Sequence, residues 1–248
     1  MAKVTMIRRL SFFAVLLFTE ATLADTIGVI GASGNIGSAV VDEALSRGHT
    51  VVGISRTPEK LSNDNEQFSA VYGDVTNIDA ILKLVGDTDI DTLVVSVQGG
   101  SANNKPGDTA HARASRVLIE AADKVGAGFP RVIQVGGFLT LQNSVVAMKD
   151  TVKQMPFEAP PGSPLHAMLF GHWQALQNYR NSHINWTVAT PPASIAPGPR
   201  TGTFRLSTEQ ILRDDSGKSA ISIADFAAAI VDEIEEPEFL GKRFTVAY

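Results

Sequence analysis

From residue 26 onward, short apolar runs rich in β-branched residues alternate with longer stretches whose apolar positions recur at helical spacing. The runs at 26–30, 50–54, 68–72, 92–97, 131–135, 186–189 and 244–247 predict strands. Between them the pattern predicts helices over 36–47, 78–85, from just after Asp108 to 125, and 165–181. Gly48 closes the first of these. Ser222 opens a last helix as its N-cap, with Asp225 as an acidic capping residue in the first turn. A further pair of short strands is expected near 203–206 and 210–213. Strand and helix in strict alternation point to βαβ units and a parallel sheet with helices on both faces. Residues 141–164 carry four of the twelve prolines and read as an irregular excursion over one edge of that sheet.

The first 24 residues follow another pattern. Lys3, Arg8 and Arg9 precede an apolar stretch over 10–18, and Thr22-Leu23-Ala24 then offers a small-residue cleavage site. This is the layout of a secretory signal peptide, and its apolar stretch is too short to span a bilayer comfortably. Arg8-Arg9 followed by Leu-Ser-Phe-Phe partly resembles a twin-arginine signal, although Ile7 stands where Ser or Thr is usual. The expected organisation is a signal peptide at 1–24 and one domain over 25–248. The mature protein would then be exported, periplasmic or secreted; without a working signal it would be cytoplasmic.

Composition narrows the function. The 248 residues suit one α/β core, and a net charge of −5 gives no basic surface for nucleic acid. The absence of cysteine excludes disulfides, thiolate nucleophiles and Cys-ligated zinc. No His and carboxylate cluster has metal spacing, so no metal site is expected, and the short apolar run of the leader predicts no stable membrane span. Oligomeric state is left open.

The chemistry is concentrated in Gly31-Ala-Ser33-Gly34-Asn35-Ile36-Gly37, between the first strand and the first helix. In that context the first glycine permits a tight turn, the second a close approach to a pyrophosphate, and the third helix–sheet packing. The helix N-terminus offers free amides and a positive dipole end to phosphates. This is a dinucleotide-binding fingerprint on a Rossmann-type, doubly wound sheet. NAD-binding proteins place a carboxylate after the second strand, but here the strand ends in Ser55-Arg56. Arg56 could pair with a 2′-phosphate through its planar fork, so NADP(H) is the expected cofactor and NAD(H) the alternative. Asp74 and Val75 follow the third strand, where an Asp could accept from the adenine amino group. Ser96, Val97 and Gln98 follow the fourth, at the carboxyl edge where ligands lie in such sheets.

With these pieces in place the chain resembles the NAD(P)H-binding atypical short-chain dehydrogenases, especially the group called NADH–flavin reductases, with biliverdin-IXβ/flavin reductase a more distant relative. The resemblance runs over 26–248. It rests on Gly28-Val-Ile-Gly-Ala-Ser-Gly-Asn-Ile-Gly37, Tyr72-Gly-Asp-Val75, Arg131-Val-Ile-Gln-Val-Gly-Gly137 and His172-Trp-Gln-Ala-Leu-Gln. Trp186-Thr, Pro191-Pro192, Pro199-Arg-Thr-Gly202 and Arg243-Phe-Thr-Val-Ala-Tyr248 add to it. Ordinary short-chain dehydrogenases carry a Tyr-x-x-x-Lys pair on the helix expected at 165–181. Met168 and His172 take those positions here, and Gly136 takes that of the usual serine. Alcohol–ketone chemistry through a Tyr–Lys relay is therefore not implied.

The resemblance implies instead that His172 lies near the substrate, as a proton donor or a pocket wall. Phe138, Pro191 and Pro192 would shape the nicotinamide end. Phe170, Trp173 and the 141–164 excursion would cover it. His166 and His111 are weaker candidates, His111 on a helix face expected toward solvent. The reaction expected is NADPH hydride transfer to a flat conjugated small molecule such as a flavin, quinone or tetrapyrrole. Such transfer needs alignment more than it needs an acid. A redox-sensing regulator that binds NADP(H) without turnover is the alternative, and isomerase or lyase chemistry ranks below both.

Overall fold

A computed structural model describes residues 24–99, 105–142 and 162–248. The expected leader up to residue 23 and most of the 141–164 excursion lie outside the described residues. Among the described residues ten strands form: β1 (Thr26–Ile30), β2 (Thr50–Ser55), β3 (Phe68–Tyr72), β4 (Thr92–Val95), β5 (Arg131–Val135), β6 (Trp186–Thr190), β7 (Ser194–Ala196), β8 (Arg205–Ser207), β9 (Ala220–Ser222) and β10 (Lys242–Ala247). The helices are α1 (Asn35–Ser46), α2 (Ile78–Asp87), α3 (Ala110–Val125), α4 (Pro164–Arg180) and α5 (Ile223–Glu235).

Eight strands make one sheet in the order β3-β2-β1-β4-β5-β6-β10-β8. All neighbours are parallel except β10 and β8. Parallel strands must be buried on both faces, and β4, β5 and β6 are buried at every residue. One face is covered by α1 and α5, whose Val40, Ala44, Phe226 and Ile230 pack on Ile27, Val29 and Phe244. The other is covered by α2, α3 and α4 through Ile81, Leu118, Leu176 and Tyr179. The chain winds outward from β1 through β2 to β3, then returns to β4 on the other side of β1. That reversal opens a crevice beyond the carboxyl ends of β1 and β4, which is where ligands bind in sheets of this type.

The pair expected near 203–206 and 210–213 does not form as such. β8 pairs instead with β10, whose outer edge would otherwise be bare, and Gln210 makes only a single bridge to Gln142. Glu209 is drawn to Arg180 and Arg243, which takes the following segment off the sheet. A small parallel pair, β7 with β9, was not expected and lies beside α5.

Ser222 does cap α5, its hydroxyl accepting from the Asp225 amide at 2.9 Å. Asp225 is not a capping residue. It is fully buried and accepts from the Thr201 and Gly202 amides (2.8 Å each), the Thr201 hydroxyl (2.6 Å) and the Tyr248 hydroxyl (2.7 Å). Burial pushes this carboxyl up, but the bonds from Thr201, Gly202 and Tyr248 outweigh it and hold it below the ordinary value. The C-terminal residue is thereby pinned to the loop before β8. No helix among the described residues is long and apolar enough to cross a membrane.

Candidate functional site

The glycine loop stands at the crevice. Gly31 has φ +86, and a Cβ there would fall 2.1 Å from the Ser96 carbonyl oxygen, so the loop packs directly on the backbone after β4. A Cβ on Gly37 would fall 2.1 Å from the Gly31 carbonyl, so α1 starts as close to the turn as backbone can come. Gly34 is less confined, with 3.3 Å to the same oxygen. Its amide donates to the Gly31 carbonyl at 2.9 Å and closes the turn. Ser33, Gly34 and Asn35 are exposed, Ile36 is half-buried against the core, and Gly37 is buried.

The start of α1 differs from that of every other α-helix among the described residues. Asn77, Thr109, Ser163 and Ser222 each cap their helix with a side-chain oxygen, whereas Gly34 supplies none and the first turn of α1 holds no acid. The orphan amides of α1 therefore face the crevice with no internal acceptor, beside a loop in which Gly31 and Gly34 carry no side chain. A pyrophosphate fits that cradle by chemistry and by space.

Arg56 is exposed just past β2, and its charge helps to lower the Asp74 carboxyl. Burial pushes Asp74 up, but the Thr76 amide and hydroxyl, with Arg56 and Arg113, more than offset it. Thr76 occupies Asp74 Oδ1 at 2.9 and 2.8 Å, so an adenine contact would fall to Oδ2. The Val75 side chain is buried with Ile54 and Leu84, which leaves only its backbone to meet a ligand. Ser96 and Val97 are half-buried and Gln98 is exposed.

Beyond β5 and β6 lies the other end of the crevice. Cβ atoms at Gly136 and Gly137 would come within 2.8 Å of the Thr190 hydroxyl oxygen and of the His172 ring. His172 of α4 therefore backs directly on the strand end. Phe138 and Pro191 are half-buried, Pro192 is buried, and Met168 is 38% exposed one turn before His172. Phe170 stacks on His166 with centroids 4.3 Å apart, and Trp173 is half-buried.

His111 departs from its expected place. It is buried rather than solvent-facing, and its ring stacks on His172 with centroids 3.6 Å apart. Burial lowers His111 to about 4, against a weaker opposing hydrogen bond to the Val97 backbone. Burial, reinforced by His111, also takes His172 well below the ordinary histidine value. Both rings are neutral at pH 7, so His172 offers an uncharged N–H or lone pair and not a populated imidazolium. A signal for His111 was present in the sequence. It falls in phase with Ala114, Leu118 and Ala122 on the buried face of α3.

The comparisons agree with this geometry. The family model described as NAD(P)H-binding matches residues 31–237. The chain belongs to the NAD(P)H-binding family. Several known proteins are similar to it over most of its length. An uncharacterised Bacillus subtilis protein, YwnB, is 29% identical over 231 residues, covering 89% of this chain and 97% of that one. Among solved structures, a "putative exported protein" from Burkholderia pseudomallei is 29% identical with a TM-score of 0.71, over 90% of this chain and 99% of its own. A "putative epimerase" from Bacteroides thetaiotaomicron is 30% identical with a TM-score of 0.72, over 91% and 97%. The expected NAD(P)H-binding family and the Rossmann-type sheet both hold.

Proposed function

We propose that this chain is an NADPH-dependent oxidoreductase that reduces a flat conjugated acceptor of the flavin, quinone or tetrapyrrole kind. The observation that carries the reading is an uncapped, glycine-lined α1 start joined to an acceptor end built from Gly136, Gly137, Thr190 and a neutral His172. NAD(P)H, when bound, supplies a hydride at its nicotinamide ring. The chain's part is to hold and align. The amides of α1 and the glycine loop would take the pyrophosphate, Arg56 the 2′-phosphate, and Ser96 to Gln98 the ribose side. Phe138, Pro191 and Pro192 would keep the ring and the acceptor face to face in a dry cleft. Transfer to a conjugated acceptor tolerates a neutral imidazole, because the proton can come from water.

The test is a titration of the protein with NADPH and NADH, followed by FMN or a quinone while absorbance near the nicotinamide band is recorded. Acceptor-dependent loss of NADPH supports the reductase. Tight binding without oxidation favours the second reading, a redox sensor, which the missing Tyr–Lys pair also allows. In the same titration Arg56→Ala should weaken NADPH by about 1.5–3 kcal/mol and leave NADH nearly unchanged. Equal loss for both cofactors would remove Arg56 from the 2′-phosphate.

We also propose that residues 1–24 direct export, a reading supported by the name of the Burkholderia neighbour. N-terminal sequencing of extracytoplasmic protein should begin at Asp25. A chain that keeps its leader and stays inside the cell would refute it.

A further inference from the structure

The proposed reaction gives His111 no task, yet this residue is held from three sides. Its ring lies against His172 at 3.6 Å with a 39° tilt. Its imidazole is hydrogen-bonded to the Val97 backbone, in the segment on which Gly31 packs. Thr109, two residues earlier, caps α3 and fills the space over Gly171, where a Cβ would fall 2.2 Å from the Thr109 hydroxyl oxygen. Gly171 precedes His172 on α4, and Gly137 lies so close to the His172 ring that a Cβ there would fall 2.8 Å from it. Two glycines thus bring α3, α4 and the end of β5 together around the two rings. Nδ1 of each ring is buried without any partner. A buried nitrogen with no hydrogen bond is costly, and here each of two stacked rings carries one.

We propose that His111 is a positioning residue for His172, passing the state of the cofactor cleft from the Val97 backbone through the stacked rings to the acceptor end. This rests on the hydride-transfer reading above. The physical basis is that the rings have no slack. A shift of the Val97 backbone toward a bound cofactor draws the His111 ring with it. His172, confined by Gly137 and stacked on His111, has to follow. The stack also disfavours charge on His172, because a cation there would be desolvated and would exclude a second on His111. An uncharged imidazole suits a neutral carbonyl oxygen, as on a quinone or an isoalloxazine ring, better than a carboxylate. The acceptor class at this end is therefore a neutral, carbonyl-bearing ring.

The test uses the full-length chain with NADPH and menadione. Five histidines make imidazole NMR signals assignable by single substitutions. Adding NADPH to the wild type should shift the His111 and His172 signals together. His111→Phe keeps a flat ring on His172 but loses the bond to Val97. It should bind NADPH within about threefold of wild type, lose kcat for menadione by about tenfold or more, and leave His172 silent to NADPH. His111→Gln, whose amide can still reach the Val97 backbone, should recover most of that kcat and guards against a folding defect. An unchanged kcat in His111→Phe overturns the proposal and leaves the reductase standing. So does a wild-type His172 that ignores bound NADPH. Joint shifts with no oxidation by menadione or FMN would instead overturn the reductase and support the coupling as the output of a sensor.

Discussion

Gly31→Ala is expected to raise the NADPH dissociation constant by about a hundredfold or more, equivalent to about 2.7 kcal/mol. An alanine there must adopt φ +86, which costs roughly 1–2 kcal/mol for an L-residue. Its Cβ would also meet two backbone atoms after β4, the Ser96 oxygen at 2.1 Å and its carbon at 2.9 Å. Backbone cannot rotate away as a side chain can, so the loop must lift from the sheet and carry the amides of α1 off the phosphates. Gly37→Ala should act alike, because its Cβ would meet the Gly31 oxygen from the other side at 2.1 Å. Gly34→Ala, at 3.3 Å, should cost much less. Calorimetric titration of the three variants is the measurement. Wild-type affinity in Gly31→Ala would mean that the dinucleotide does not lie on this loop.

The largest expected loss of stability is at the opposite edge of the sheet. Glu233→Ala should lower the unfolding free energy by about 3–5 kcal/mol, because it leaves a buried guanidinium without its counter-charge. Glu233 is 3% and Arg131 8% exposed, and the two form an ion pair between α5 and the start of β5. The same carboxylate accepts the Glu238 amide at 2.9 Å and the Phe239 amide at 3.1 Å, and lies 3.1 Å from the Thr187 hydroxyl. Burial already pulls Arg131 below the ordinary arginine value despite Glu233, and its Nε has no partner. Set against a typical total of about 5–15 kcal/mol, that loss brings the fold near its limit. Urea unfolding would measure it, and a change below about 1 kcal/mol would show the pair to be dispensable. Cofactor affinity of the folded fraction should hold, since Arg131 opens β5 at the amino edge and the crevice lies at the carboxyl edge. The paired replacement Arg131→Met with Glu233→Leu should restore much of the stability, because an apolar pair carries no desolvation cost.

The parts legible in the chain are those whose cause is local. A run such as Val-Ile-Gln-Val is a strand wherever it is placed between two apolar layers, and β5 spans the residues expected of it. The glycine spacing at 31, 34 and 37 has a steric cause that needs only a strand before it and a helix after it. Arg56 in place of a carboxylate after β2 is likewise a local feature of the chain. Where the cause is distant the reading failed. Residues 210–213 looked like a strand, yet Glu209 is pulled to Arg180 and Arg243 from elsewhere in the chain. Asp225 looked like a cap, and only the return of Tyr248 and the loop at Thr201 shows why it is buried.

What the sequence by itself determined, then, is the parallel α/β class, the glycine turn from β1 into α1 and the absence of a Tyr-x-x-x-Lys pair. Each of these depends on residues a few positions apart, whose mutual geometry the backbone enforces. Only the tertiary structure decided that His111 and His172, 61 positions apart by number, stack as one neutral pair. It alone showed that Gly137 leaves room for the His172 ring and Gly171 for the Thr109 side chain. Protonation follows from the same source, because desolvation and charge proximity depend on what packs around a ring and not on what precedes it in the chain.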